Sequence, residues 1–183
     1  MNPLKYYIKK ALLLFKKGRI ERGINTVIET GTDVDPGTSG YIQIGSNCYI
    51  HKHAYLKCYD DGKIIIGDNV SINPFCVLYG IGTLRIGANV RIAAHTVIVP
   101  ANHKFSDPKV NICAQGISKK GVTIEEDVWI GANATVLDGV HIGKHSVIGA
   151  GSVVTSNIPA YSVAVGVPCR VIRRINSSDP QSN

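Results

Sequence analysis

The stretch Ile124–Val154, IEEDVWIGANATVLDGVHIGKHSVIGAGSVV, decides the fold. Every sixth residue in it is aliphatic: Ile124, Ile130, Val136, Ile142, Ile148 and Val154. Four residues after the first five of these stands a small or β-branched side chain: Val128, Ala134, Val140, Ser146 and Ser152. An amphipathic helix repeats near 3.6 residues and a half-buried strand at 2, so neither produces this pattern. A period of six suits a coil with three short sides, each turning one aliphatic residue inward and placing the small residue at a corner. Parallel strands stacked about 4.8 Å apart then set each aliphatic residue on its counterpart in the next coil.

Working outward, the same phase runs upstream through Ile86, Ile92 and Ile98, then Ile66, Ile72 and Leu78, then Ile44, Ile50 and Leu56. The small slot is filled there by Cys48, Ala54, Val70, Cys76, Val90 and Thr96. The spacing breaks three times, with four extra residues between Leu56 and Ile66, two between Leu78 and Ile86, and twenty between Ile98 and Ile124. Twenty residues exceed any corner, so the segment at about 99–123 must leave the column as a protruding loop. Long excursions from a rigid scaffold are often functional. The repeat therefore predicts an all-β parallel β-helix prism over residues 24–175. Ahead of it, Leu4, Ile8, Ala11, Leu12 and Phe15 share one face of an expected short N-terminal helix within residues 1–23, suited to covering the unpaired edges of the first coil. The polar residues 176–183 are expected to form a disordered tail.

Composition limits the function classes. The 183 residues are 44% hydrophobic and 18% charged, a globular balance. Of the formal charge of +7, +6 lies in residues 1–23, where Lys5, Lys9, Lys10, Lys16, Lys17, Arg19 and Arg22 face Glu21 alone. A nucleic-acid binder carries its basic stripe on the folded domain, so nucleic acid is set aside as a partner. The basic residues 1–22 suit either peripheral contact with an anionic membrane or a solvated capping helix. Five cysteines without a CxxC pair point to reduced thiols in a cytoplasm, with Cys48 and Cys76 as packing residues. No run approaches the roughly 18 apolar residues of a membrane span.

Several motifs add a family resemblance. Ile86-Gly-Ala-Asn-Val90 precedes the loop, Pro100-Ala-Asn-His-Lys-Phe105 opens it, and Val128-Trp-Ile-Gly131 follows it. Gly166-Val-Pro-Cys-Arg-Val-Ile172 closes the repeats. Over roughly residues 40–175 the chain resembles the hexapeptide-repeat acyltransferases, in particular the galactoside, maltose and polysaccharide O-acetyltransferases. That resemblance implies a left-handed prism, a homotrimer with sites between neighbouring prisms, and transfer of an acetyl group from acetyl-CoA to a sugar hydroxyl, with no metal.

Residue by residue, the resemblance makes His103 the general base. A sugar hydroxyl is a poor nucleophile that must lose its proton as it attacks a thioester, and an imidazole can accept that proton near neutral pH. Asn73, in Ser71-Ile-Asn-Pro-Phe75, matches an active-site asparagine suited to a developing oxyanion. Trp129 matches a position flanking the pantetheine arm, Ala132 and Ala150 supply main-chain groups for its amides, and Thr155, Arg170 and Arg173 lie near the nucleotide phosphates, where guanidinium groups suit anionic oxygens. The family's acceptor-binding carboxylate is absent, its place reading Gly80-Ile-Gly82. Three alternatives stand beside this reading: a zinc lyase of the carbonic anhydrase type using His103, His141 and His145, an amino-sugar N-acetyltransferase, and a binding protein without turnover.

Overall fold

The computed structural model describes residues 18–175, which wind through six three-sided coils of a parallel β-helix. The first sheet stacks Arg19–Arg22, Tyr41–Ile44, Lys63–Ile66, Thr83–Ile86, Val122–Ile124 and His141–Ile142. The second stacks Val27–Ile28, Tyr49–Ile50, Ser71–Ile72, Arg91–Ile92, Trp129–Ile130, Val147–Ile148 and Ser162–Val165, and ends on Arg170–Arg174, which folds back antiparallel. The third stacks Asp33–Asp35, Tyr55–Cys58, Val77–Gly80, Val97–Ile98, Thr135–Val136 and Val153–Val154. Corners one, two and three are the turns from first to second sheet, second to third, and third to first.

The sixfold phase becomes three aliphatic columns. Ile44 registers with Ile66, Ile66 with Ile86, Ile86 with Ile124 and Ile124 with Ile142. Ile50, Ile72, Ile92, Ile130 and Ile148 form the second column, and Leu56, Leu78, Ile98, Val136 and Val154 the third. All fifteen are at most 3% exposed. Burying each such side chain contributes about 1.5–3 kcal/mol, which makes the columns the main source of cohesion.

The small slot does more than leave room. Its hydroxyls and thiols reach corner carbonyls of the following coil: Cys48 Sγ donates to Gly67 O at 3.1 Å, Thr96 Oγ1 to Gly131 O at 3.2 Å and Ser146 Oγ to Pro159 O at 3.0 Å. Thr96 Oγ1 also lies 2.9 Å from Ala93 O, and Thr96 is fully buried. Thr96→Val keeps the shape but removes that donor, and is expected to lower stability by about 1–3 kcal/mol, read from the urea midpoint. At corner one the backbone enters the left-handed region at Asn25, Asn47, Asn69 and Asn89 (φ 56–62°), a conformation asparagine tolerates better than most side chains.

All three breaks in spacing fall at corner three. The extra residues after Leu56 and Leu78 lengthen the strands and turn there, and the twenty-residue excursion leaves after Ile98 and re-enters at Val122.

One expectation is corrected. The prism begins before residue 24, because Arg19–Arg22 is a strand in register with Tyr41–Ile44 and not the end of a helix. Arg22 pairs with Ile44, Ile28 with Ile50 and Val34 with Leu56, so the first coil keeps the sixfold phase. A charged residue in its first aliphatic slot hides it. The remainder of the expected helix, residues 1–17, and the expected tail, residues 176–183, lie outside the described residues. Among the described residues no helix is long and apolar enough to cross a membrane.

Candidate active site

The excursion at corner three is a folded loop. Val99 N still donates to Val136 O at 2.9 Å, after which Asn102–His103 pairs antiparallel with Ile117–Ser118. Gln115 ties the loop across itself, its Nε2 donating to Asp107 O at 2.9 Å and Val110 O at 2.8 Å while its Oε1 accepts from Asp107 N at 3.0 Å. Asp138, one coil further along the same corner, holds the foot: one carboxylate oxygen accepts from Gly121 N and the other from Ser118 Oγ, both at 2.9 Å. Lys119 adds an ion pair to Asp60 at 3.2 Å.

His103 stands on this hairpin, exposed, and lines a cavity of about 140 Å³ together with Ile81, Val99, Ala101, Asn102 and Ile117. The imidazole makes no hydrogen bond to another described side chain. Neither Asp138 nor Gln115 stood out in the sequence, because their partners lie outside the sixfold rhythm.

Asn73 is at corner two, half-buried, with one amide hydrogen donated to Ile92 O at 2.9 Å and the second available. Within one chain the structure therefore separates Asn73 from His103. They flank opposite edges of the third sheet, roughly 15–20 Å of extended chain apart. Ala132 and Ala150 share corner two with Asn73 and lie in successive coils, where Ala132 O accepts from Gly151 N at 2.8 Å. Glycine precedes Ala132 for a steric reason: a Cβ on Gly131 would stand 2.5 Å from Ala150 N. Trp129 projects from the second sheet, 55% exposed, between Arg91 and Val147 in register. Arg170 and Arg173 are exposed on the terminal strand of that same sheet. Thr155 differs, being exposed at corner three on the His103 side. Five of the six cofactor candidates thus gather on the second sheet and its edge, and Thr155 does not.

The histidines of the zinc alternative are kept apart. His141 Nε2 bonds Glu125 Oε1 at 2.9 Å on the first sheet, and His145 Nδ1 bonds Asp127 Oδ2 at 2.5 Å at corner one, whereas His103 is at corner three. The Lys144 amide and then His141 hold the Glu125 carboxyl below its ordinary value. Among the described residues no group of three or more His, Cys, Asp or Glu converges on one point.

Four of the five cysteines, Cys48, Cys58, Cys76 and Cys169, are packing residues. Burial pushes the Cys58 and Cys76 thiols up to about 11 and raises that of Cys169, while Cys48 is buried in its slot. Cys113, on the loop, is the exposed one. Iodoacetamide at neutral pH is expected to modify Cys113 alone in the native protein, with all five reacting after denaturation; mass spectrometry of the labelled peptides reads this directly.

Known proteins share this architecture. The family model for bacterial transferase hexapeptide (six repeats) matches residues 121–156. The chain is 40% identical over 139 residues to a galactoside O-acetyltransferase of Lactococcus lactis, covering 76% of this chain and 66% of that protein, just under two thirds of its length. It is 34% identical over 144 residues to the "Putative lipopolysaccharide biosynthesis O-acetyl transferase" of Escherichia coli, covering 75% of this chain and 74% of that one. Among solved structures it is similar to a hexapeptide-repeat acetyltransferase of Vibrio cholerae complexed with acetyl coenzyme A, with a TM-score of 0.57, 26% identity, and coverage of 94% of this chain and 79% of that chain. The chain belongs to the bacterial hexapeptide-repeat transferases, and its prism is the left-handed parallel β-helix of that family.

Proposed function

We propose that this protein transfers the acetyl group of acetyl-CoA to a hydroxyl of a sugar, in surface polysaccharide biosynthesis, with His103 as general base. The observation that carries the reading is the placement of His103, fixed on a pinned hairpin at the edge of the prism and lining a cavity, in a chain whose relatives are named as O-acetyltransferases.

In the reaction the acceptor oxygen attacks the thioester carbonyl while its proton passes to the His103 imidazole. The tetrahedral oxyanion collapses, the C–S bond breaks, and the proton leaves with the coenzyme A thiolate. No acyl-enzyme is needed, so both substrates are bound together. The free amide hydrogen of Asn73 is suited to the oxyanion. Trp129, Ala132, Ala150, Arg170 and Arg173 along the second sheet provide the bed for the cofactor, with Thr155 at the far corner.

Assembly makes the site whole. The outward column of the third sheet reads Asp33, Tyr55, Val77, Val97, Thr135 and Val153; beyond the exposed Asp33 of the first coil, all are half-buried and none is charged. The first sheet presents Gln43, Ile65, Arg85, Thr123 and His141 in the equivalent column. Three copies with their third sheets turned to a common axis form a closed homotrimer. In that arrangement corner three of one copy, with His103 and Thr155, meets corner two of the next, with Asn73, Ala132 and Ala150. The separation seen within one chain is what such a shared site requires. The reaction is assigned to the cytoplasm at the inner face of the membrane, where the basic residues 1–22 meet anionic lipid; sedimentation with anionic vesicles, compared with a chain lacking 1–22, tests that placement.

The function itself is tested by following acetyl-CoA consumption against monosaccharides, oligosaccharides and sugar nucleotides, with products located by NMR. An O-acetyl ester on a sugar carbon is expected. Amide products would assign the amino-sugar alternative, and tight acetyl-CoA binding without turnover on any glycan would contradict the enzyme reading.

A further inference from the structure

We infer that the acceptor is a neutral oligosaccharide, and that the sugar next to the acetylated one is gripped between aromatic rings of two subunits. The inference rests on the transferase reading and the shared site above, and names the substrate class. One wall belongs to corner three. Tyr79 is two residues before Ile81 and one coil before Val99, and both of these line the His103 cavity. Tyr59 lies a coil further, its ring centroid 5.9 Å from that of Tyr79 and its backbone N donating to Gly80 O at 3.1 Å. Tyr59 is 43% exposed, and neither phenol hydroxyl has a hydrogen-bond partner among the described residues.

The other wall is corner two of the next copy. His53, Phe75 and His95 stack there in successive coils, with ring centroids 5.0 and 5.1 Å apart. Phe75 is two residues from Asn73, is 50% exposed, and has a φ of 62°. A bulky side chain in the left-handed region is strained, and strain of this kind gathers at ligand clamps. Asparagine, which tolerates that conformation, fills the same corner slot two coils on, at Asn133 with a φ of 57°.

The direction of entry follows from the cofactor bed. Ala132, Ala150 and Thr155 belong to the fifth and sixth coils, whereas the rings belong to coils two to four. With coenzyme A on that side, the acceptor comes from the other, between the aromatic walls. Tyr59 is two coils, about 10 Å, from the level of Val99. A single sugar held at His103 falls short of it, and the next sugar of a chain does not. The C–H face of a pyranose gains by leaving water against such rings. The ammonium groups beside Tyr59 are already paired: Lys57, 5.8 Å from its ring centroid, with Asp35, and Lys119 with Asp60 at 3.2 Å. A pyrophosphate or a uronic acid there must compete with carboxylates for the same lysines, so the wall suits a neutral chain.

The test compares kcat/KM for methyl glycosides of galactose, glucose and N-acetylglucosamine with neutral di- and trisaccharides of the same sugars, by release of the coenzyme A thiol from acetyl-CoA. In a series that turns over, the longer chain is expected to be favoured by about 10-fold or more. Tyr59→Ala and Phe75→Asn are each expected to narrow that preference to about 3-fold or less, through the KM of the longer chain. Phe75→Asn keeps a residue that suits this corner, so a lost preference in it is not a lost fold. Tyr161→Ala, at an exposed ring on corner one, is the control that leaves the preference unchanged. Equal kcat/KM along every series that turns over, a preference left in place by one or both variants, or a sugar nucleotide outrunning the neutral chains would overturn the inference and leave the transferase reading intact. So would dissociation of the Tyr59→Ala trimer in light scattering, since that ring would then be a subunit contact. No turnover on any acceptor would overturn both.

Discussion

His103→Ala is expected to lower turnover by at least about 10²-fold while leaving folding and coenzyme A binding unchanged. The size follows from what the residue is asked to do. A sugar hydroxyl attacking a thioester must shed its proton in the transition state, and a positioned base contributes about 10²–10⁴-fold to that step. The sparing of the fold follows from where it stands. His103 is exposed, lies outside the three aliphatic columns, and has no hydrogen-bonded side-chain partner among the described residues. The backbone pairing of the hairpin, including Lys104 N to Gly116 O at 3.0 Å, survives in the alanine variant. The kcat split, a circular dichroism melt and isothermal titration with coenzyme A check the three parts separately. Near-normal kcat would remove His103 as the base.

Val97→Lys is expected to abolish assembly and, with it, activity. Val97 is in the middle of the uncharged run from Tyr55 to Val153 on the third sheet, in register with Val77 and Thr135, and points away from the core that its neighbour Ile98 fills. The isolated chain tolerates a lysine there because the site faces solvent. In a trimer closed on this sheet, three lysines meet near one axis, and each unpaired buried charge costs about 3–5 kcal/mol. Light scattering is expected to change from the mass of three chains to that of one, with acetyl transfer lost in parallel. Arg85→Ala, on the first sheet, is the control that leaves the mass unchanged. A Val97→Lys protein that stays trimeric and active would place the subunit contact elsewhere.

The prism was legible because its physics is periodic: a residue every six positions had to be aliphatic, and Ile124 through Val154 said so without interruption. The loop was legible as a failure of that period after Ile98. What the period could not carry was anything held by a single long-range bond. Asp138 looks like an ordinary corner residue until its two oxygens are found on Ser118 and Gly121. The first coil was hidden for a related reason, since Arg22 occupies the slot that Ile44 fills one coil later, and pairing with Tyr41–Ile44 outweighs the helical pattern read ahead of it. The site was only half legible. Each candidate could be named from its motif, but the division between corners two and three depends on which sheet each turn joins.

We propose direct transfer from coenzyme A to a sugar hydroxyl, with His103 taking the proton. Its most direct test is a single-turnover experiment with acetyl-CoA labelled at the carbonyl carbon, quenched and followed by NMR in native and His103→Ala protein. A labelled sugar ester is expected to form as the thioester signal decays, with no label on the protein, and to be lost in the variant. Label accumulating on the protein, or an ester forming equally fast without His103, would contradict it.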